Sequence, residues 1–333
     1  MKLCVFGAGA IGGHLAARLA AAGHEVSVVA RGANLAGIRE RGLSLHSGAE
    51  VVRGPVRASD RTEGLGAQDA VFVTTKATAL AAFAESAAPL LSGDTRVVFV
   101  QNGIPWWYAH GLGPSRRAPP DLSRLDPGGR LAQAVAPQQV IGGIVYSSND
   151  VTAPGEVHNL SPGRNMLVIG APDDRDAPEV ARLRAALEGA GMPSPGCADI
   201  RTAVWDKLLV NFGATLCVPL GEPIKVLSED PALAALRGRL VAEGRAIALA
   251  HGVDIAGAPK RPGGGQVAGA TLHKPSMLLD YELGRPMEVE AILATPLAFA
   301  RSAGVAAPLL EMLAAITARL AAAKGLYAGL PVN

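Results

Sequence analysis

The sequence predicts an α/β chain whose first part alternates strand and helix and whose last part is all helix. Three observations carry this reading. A short apolar run breaks into a glycine cluster at residues 2–13, two more apolar runs end in polar clusters at 69–80 and 95–104, and strand signals vanish after about residue 200. At 333 residues the chain exceeds what one core usually supports, so two domains are expected, 1–200 and 201–333.

The first element is "KLCVF" (2–6), a strand that stops at "GAGAIGG" and passes into the helical "HLAARLAAAG". Strand, tight turn and helix in that order, with Gly7, Gly9 and Gly12 at G-x-G-x-x-G spacing, form a dinucleotide fingerprint. The first glycine permits the turn, the second admits a pyrophosphate to the backbone, and the third lets helix and strand pack closely. The helix N-terminus adds unpaired N–H groups and a partial positive charge. Gly7, Ala8, Gly9, Ala10, Ile11 and Gly12 are therefore cofactor-binding candidates, and the domain is Rossmann-type.

The second strand, "EVSVVA", ends at Arg31 rather than at the acidic residue that would accept hydrogen bonds from ribose hydroxyls. An arginine there pairs with a 2′-phosphate, which favours NADPH over NADH. The alternative is a solvated loop arginine.

"DAVFVTTKATAL" (69–80) reads as a buried strand ending at Thr74, Thr75 and Lys76. "TRVVFVQNGI" (95–104) is another, ending at Gln101, Asn102 and Gly103. Ligands of open parallel sheets sit beyond the carboxyl ends of the strands, which makes Lys76 and Asn102 candidates for the nicotinamide side.

Residues 105–138 are rich in Pro, Gly and Arg and read as an irregular excursion. Trp106, Trp107 and Tyr108 within it either line a pocket or anchor the loop. "QVIGGIVYSS", "GEVHNL" and "NMLVIG" read as antiparallel strands completing the sheet edge, with a helix across "APEVARLRAALEGAG".

Beyond residue 200, Ala/Leu-rich segments at 201–219, 230–251, 266–283 and 286–328 have i, i+3, i+4 apolar spacing and predict a helical domain. In the first, Lys207, Asn211 and Thr215 are four residues apart and share one helix face. A reductase needs a proton donor beside the carbonyl oxygen, and a poised lysine suits that task. The competing reading is a snorkelling lysine with two polar residues making local helix bonds. Downstream, Ser276 opens one helix after Pro275, and Glu288 stands in the first turn after Pro286. Each either caps its helix or serves a site.

Composition narrows the partners. Hydrophobic residues make up 49% and charged ones 18%, with a mean hydropathy of +0.25. The formal net charge is +2 without a long basic run, so neither a nucleic-acid nor an acidic-lipid surface is expected. Cys4, Cys197 and Cys217 are odd in number and irregularly spaced, which suggests neither a disulfide framework nor a metal site and points to a reducing, cytoplasmic setting. Glycines interrupt the opening run, so it is not read as a signal peptide. No stretch of about 18 apolar residues predicts a membrane span.

The pieces "GAGAIGG", "VTTKATAL", "VQNGI", "WDKLLVN" and "PSMLLDYELGRPMEVE" come in the order and separations of the ketopantoate reductase family (2-dehydropantoate 2-reductase), which the chain resembles over nearly its whole length. The resemblance implies a Rossmann domain followed by a helical domain. It also implies NADPH-dependent reduction of 2-dehydropantoate to (R)-pantoate in coenzyme A biosynthesis, with the 2-oxo acid entering between the domains.

It further implies that Lys207 is the catalytic acid and that Asn211 and Ser276 bind substrate. Glu288 then supports the reacting centre beside the cofactor, and Lys76 and Asn102 contact cofactor or substrate. Thr215 stands where family members commonly carry a second asparagine, so a substrate contact there is altered. That departure keeps open another 2-oxo or 3-hydroxy acid as substrate, and more remotely a non-catalytic NADPH-binding sensor. The apolar C-terminal helices are available for a homodimer interface.

Overall fold

The computed structural model describes residues 1–114, 116–175, 177–261 and 274–329. They fall into two compact units. The first contains Met1–Gln101, Gly128–Ile200 and the described residues of Pro259–Gly264. The second contains Asn102–Pro127, Arg201–Ala258 and the described residues of Gly265–Asn333. The irregular stretch expected at 105–138 is thus divided, its larger part belonging to the helical unit.

In chain order the first unit holds β1 (Lys2–Phe6), α1 (Ala10–Ala21), β2 (Glu25–Val29), α2 (Gly32–Arg41), β3 (Leu43–Ser47), β4 (Glu50–Gly54) and β5 (Val56–Ser59). After these come β6 (Ala70–Val73), α3 (Leu80–Ser86), β7 (Arg96–Phe99), α4 (Arg130–Ala134), β8 (Val140–Tyr146), β9 (Asn149–Ala153), β10 (Glu156–Asn159), β11 (Met166–Gly170) and α5 (Pro178–Gly189).

A seven-stranded sheet has the order β11-β8-β7-β6-β1-β2-β5. All its pairings are parallel except β11 with β8. The strands β6, β8 and β11 are buried at every residue, as expected of strands covered on both faces, which is why they read as unbroken apolar runs. Strand order reverses beside β1: the chain leaves it for β2 and later returns to β6 on its other side. Ligands of such sheets bind at that switch point.

Of the three strands placed antiparallel at the sheet edge, β8 enters the sheet parallel to β7 and only β11 closes the edge antiparallel. "GEVHNL" leaves this sheet altogether, because β10 pairs with β3 and β9 in a second sheet of order β4-β3-β10-β9. Leu43, Leu45, Val52 and Val157 from that sheet join the core around α1. Gly13 of α1 permits the approach, since a Cβ there would meet Val157 Cγ2 at 2.6 Å.

α1 is tied to the small sheet by a buried polar chain. Arg18 Nε donates to His14 Nε2 at 2.9 Å, so the ring proton sits on Nδ1 and is donated to Asn149 Oδ1 at 2.6 Å. His14 is 1% exposed, and burial pulls its pKa down to about 4 from 6.5, with Arg18 adding to the fall and Asn149 opposing it. Between those two values the unfolded chain binds the proton and the folded chain does not. Stability is therefore intact above about pH 6.5 and falls as pH drops toward 4, by about 3 kcal/mol from this group. His110 and His251 are also lowered, chiefly by burial, and act in the same direction. Denaturant midpoints should thus fall across that window, and His14→Gln should flatten part of the slope; an unchanged slope would refute the linkage.

The second unit is helical: α6 (Ile200–Thr215), α7 (Cys217–Leu220), α8 (Ile224–Glu229), α9 (Pro231–Ala250), α10 (Ser276–Glu282), a π-helical turn at Glu290–Ala294, α11 (Thr295–Ala303) and α12 (Pro308–Ala323). Residues 266–273 of the expected third helix lie outside the described residues. Asp230 caps α9 by accepting from the N–H groups of Ala232 and Leu233 at 2.8 and 3.1 Å. The stretch Ile200–Leu220 has the length and apolarity to cross a membrane, but 61% of its most apolar window is buried inside the protein. It behaves as a core helix.

Candidate active site

In the first unit the carboxyl ends of β1 and β6 build a cradle. Gly7 has φ +103, a region that L side chains rarely adopt, and a Cβ there would meet Thr75 Cγ2 at 2.7 Å. A Cβ on Gly12 would lie 2.0 Å from the Gly7 carbonyl oxygen and 2.4 Å from Thr74 Oγ1. Thr74 in turn donates its hydroxyl to the Gly7 carbonyl at 2.7 Å. Gly9 is different: a Cβ there would meet nothing within 4 Å. Two glycines thus let the protein pack on itself, while the third leaves open space at the start of α1, where N–H groups would receive an anion.

That space continues into a cavity of about 240 Å³ lined by Gly7, Gly9, Arg31, Asn34, Asp60 and Thr75, among others. The residues fit a pyrophosphate at the loop and a ribose farther out. Arg31 stands at the start of α2 on the exposed rim. Asn34 holds the floor, its amide donating to the Ala8 carbonyl and its oxygen accepting from Gly155 N–H at 2.8 Å. A wider groove of about 450 Å³ beside Met166, Pro193 and Pro195 has neither glycine loop nor cationic rim.

Sequence reading missed Asn34, Asp60 and Thr75 as lining. Asn34 was accessible as the residue one helical turn after Arg31. Asp60 was not, because β3, β4 and β5 went unread, and only the β2–β5 pairing brings the end of "RASD" beside the end of β2. At the end of β7, Gln101 donates to the carbonyls of Val73 and Thr75 at 2.7 and 3.1 Å and so fixes the turn preceding Lys76. Lys76 is half-buried just before a short 3-10 turn at Ala77–Ala79.

In the second unit, α6 is buried except along Asp206, Lys207, Val210, Asn211 and Ala214. Lys207 and Asn211 therefore share a half-open stripe of an otherwise buried helix. Asn211 Nδ2 is a buried donor with no partner. An unpaired buried amide costs about 1–3 kcal/mol, a cost that a bound acceptor would remove. Thr215 departs from expectation. It is 2% exposed, and its hydroxyl turns back to the Asn211 carbonyl at 2.8 Å. This is the local helix bond that competes with any outward role. Its other neighbour is Met277 Sδ at 3.9 Å, which brings the start of α10, with the exposed Ser276, to the end of the stripe.

The aromatic residues of the 102–110 segment resolve in favour of an anchor. Trp107 is fully buried and Tyr108 2% exposed. Trp205 Nε1 donates to the Tyr108 hydroxyl at 2.8 Å, and the fully buried Arg201 guanidinium donates to the carbonyls of Tyr108 and His110. α6 is thereby fixed two residues before Lys207.

The other end of the segment grips the π-helical turn. There the Thr295 N–H bonds to the Glu290 carbonyl, and the next residue, Pro296, has no N–H to offer Ala291. The Ala291 carbonyl accepts instead from Ile104 N–H at 2.8 Å. Asn102 is thus brought beside the turn that follows Glu288. Glu290 is committed elsewhere, accepting from the Tyr327 hydroxyl at 2.6 Å and pairing with Arg124 at 2.8 Å. Glu288 is 6% exposed. π-Turns of this kind recur at functional sites.

A phosphate cradle at the switch point of a parallel sheet, in a chain that also carries a helical unit with a lysine–asparagine edge, defines a dinucleotide-dependent oxidoreductase. The family model described as ketopantoate reductase PanE/ApbA matches residues 3–110, and that of its C-terminal part matches residues 199–321. The chain belongs to the ketopantoate reductase family. It is 39% identical to the 2-dehydropantoate 2-reductase of Mesorhizobium japonicum over 330 residues, covering 98% of this chain and 100% of that one. Among solved structures, a Ralstonia solanacearum chain assigned to the same family superposes with a TM-score of 0.83 at 32% identity, covering 98% and 99% of the two chains. The 2-dehydropantoate 2-reductase of Geobacter metallireducens gives 0.78 at 27%, covering 96% and 99%.

Proposed function

We propose that this chain reduces 2-dehydropantoate to (R)-pantoate with NADPH, in the cytoplasm, as a step toward pantothenate and coenzyme A. Residues 1–200 act as the NADPH-binding domain and 201–333 as the substrate and catalytic domain. The substrate is supported by the full-length relatives. The catalytic reading is carried by one observation: the buried, unpartnered amide of Asn211 lies one helical turn from Lys207 on the half-open stripe of α6.

Bound NADPH supplies a hydride to C2 of the 2-oxo acid. Lys207 gives its proton to the oxygen that becomes the new hydroxyl, and Asn211 and Ser276 hold the substrate's polar groups. Glu288, buried at 6% exposure, supports the reacting centre, while Lys76 and Asn102 contact cofactor or substrate. Gly7 through Gly12 receive the pyrophosphate. Thr215 supports the stripe from behind. A homodimer is also part of this reading, with Met312 and Ile316 one turn apart and exposed on α12.

A panel of 2-oxo acids, followed by loss of NADPH absorbance, tests the proposal. 2-Dehydropantoate should give the highest kcat/KM, and a clear preference for another acid would overturn the assignment. The cofactor choice has a separate test, because Arg31 shares the cavity with Asp60, whose carboxylate is paired with Arg39 at 3.5 Å. Arg31→Ala should lower kcat/KM for NADPH by roughly 10-fold or more, about the contribution of one charge-assisted contact to phosphate, and leave NADH nearly unaffected. An unchanged preference would refute the phosphate role.

A further inference from the structure

The second sheet of the first unit has one face turned to α1 and one turned away. On β3 and β10 the core-facing residues are Leu45 and Val157, so the neighbours His46, Glu156 and His158 stand on the other face, half-buried. His46 and His158 are register partners on parallel strands, their rings stacked with centroids 4.5 Å apart at 21°. Glu156 is two residues before His158, on the same side. One ligand atom from each of the three lies within 4.8 Å of the others. Among the described residues none of the three side chains makes a hydrogen bond or ion pair. Two imidazoles and a carboxylate are thus held together with their donor capacity unused.

We infer that His46, Glu156 and His158 form a binding site for a divalent transition-metal ion. Imidazole and carboxylate suit Zn²⁺ and its neighbours over Mg²⁺ or Ca²⁺, which prefer all-oxygen sets. Tetrahedral ligands at zinc distances are about 3.3 Å apart, so the side chains close by at most about 1.5 Å, a torsional adjustment on a rigid two-strand base. The carboxylate offsets part of the ion's charge, and Asp150, opposite His158 on β9, adds a second acidic residue on that face. Three protein ligands leave a coordination position for water. The site lies on the sheet face opposite α1, so binding staples β3 to β10 beneath the cofactor helix and stabilises the fold by mass action. This inference does not depend on the proposed substrate.

The test is calorimetric titration of the untagged, chelator-treated full chain with ZnSO₄ alone, beside a Co²⁺ absorption spectrum and thermal melts with and without Zn²⁺. One equivalent should bind and the melting temperature should rise. His46→Gln and His158→Gln should each weaken binding at least ~10-fold, since even groups that merely support metal ligands are worth that much. Both variants should melt normally without metal, because neither ring makes a hydrogen bond that folding needs. Mg²⁺ should not compete. The proposal is overturned if Zn²⁺ does not bind, if both variants bind as tightly as the parent, or if a thiolate-to-cobalt band that Cys197→Ser removes shows the ion on the partly exposed cysteine.

Discussion

Lys207→Ala should lower kcat by roughly 10²- to 10⁴-fold, the range expected when a positioned proton donor is removed, while NADPH affinity measured by fluorescence titration stays close to that of the parent. The asymmetry follows from where the residue sits. The glycine loop and Arg31 belong to the first unit, whereas Lys207 belongs to the half-open stripe of α6 in the second. Lys207→Arg is the sharper variant: it keeps the positive charge, but a guanidinium holds its proton across the working range and donates it poorly. If the lysine served only to attract an anionic substrate, arginine would restore most of kcat; if it is the acid, arginine stays within about tenfold of alanine. A near-normal kcat in the alanine variant would remove Lys207 from the chemistry altogether.

The elements that sequence made readable are those whose signal is local. Gly7, Gly9 and Gly12 announce a turn through their spacing alone, and the buried parallel strands announce themselves as apolar runs. The small sheet carries that signal only in part. "GEVHNL" is legible as a strand but not as a member of a second sheet, and in "LSLHS" the short pattern of apolar and polar residues does not separate strand from loop. Its pairing joins residues far apart in the chain, β3 to β10, and no local rule anticipates that. The same limit governs the site. Lys207 and Asn211 are legible because a helix puts them on one face, whereas the inward turn of the Thr215 hydroxyl depends on which side of α6 is packed. Spacing gave Thr215 the same stripe as its partners; packing put it on the buried edge.

Gly103→Ala should be strongly damaging, and its reason is equally non-local. Gly103 has φ +82, and a Cβ there would stand 2.4 Å from the Ala291 carbonyl oxygen and 2.5 Å from its carbon. The obstacle is backbone, not the end of a side chain, so relief requires moving the 102–104 turn or the π-helical turn. Either movement strains the Ile104–Ala291 hydrogen bond, the substitute for the bond that Pro296 cannot make. Left-handed backbone strain and overpacking each cost about 1–3 kcal/mol, for a destabilisation of roughly 3 kcal/mol or more and a fall in Tm of about 6–12 °C. Because the turn also holds Asn102, kcat/KM should fall in protein that is still fully folded. Thermal melts and steady-state kinetics well below the new Tm separate the two effects. A variant that melts like the parent would show that the turn yields easily. One that loses stability but keeps full kcat/KM when folded would show that Asn102 needs no such exact support and would remove it from the site.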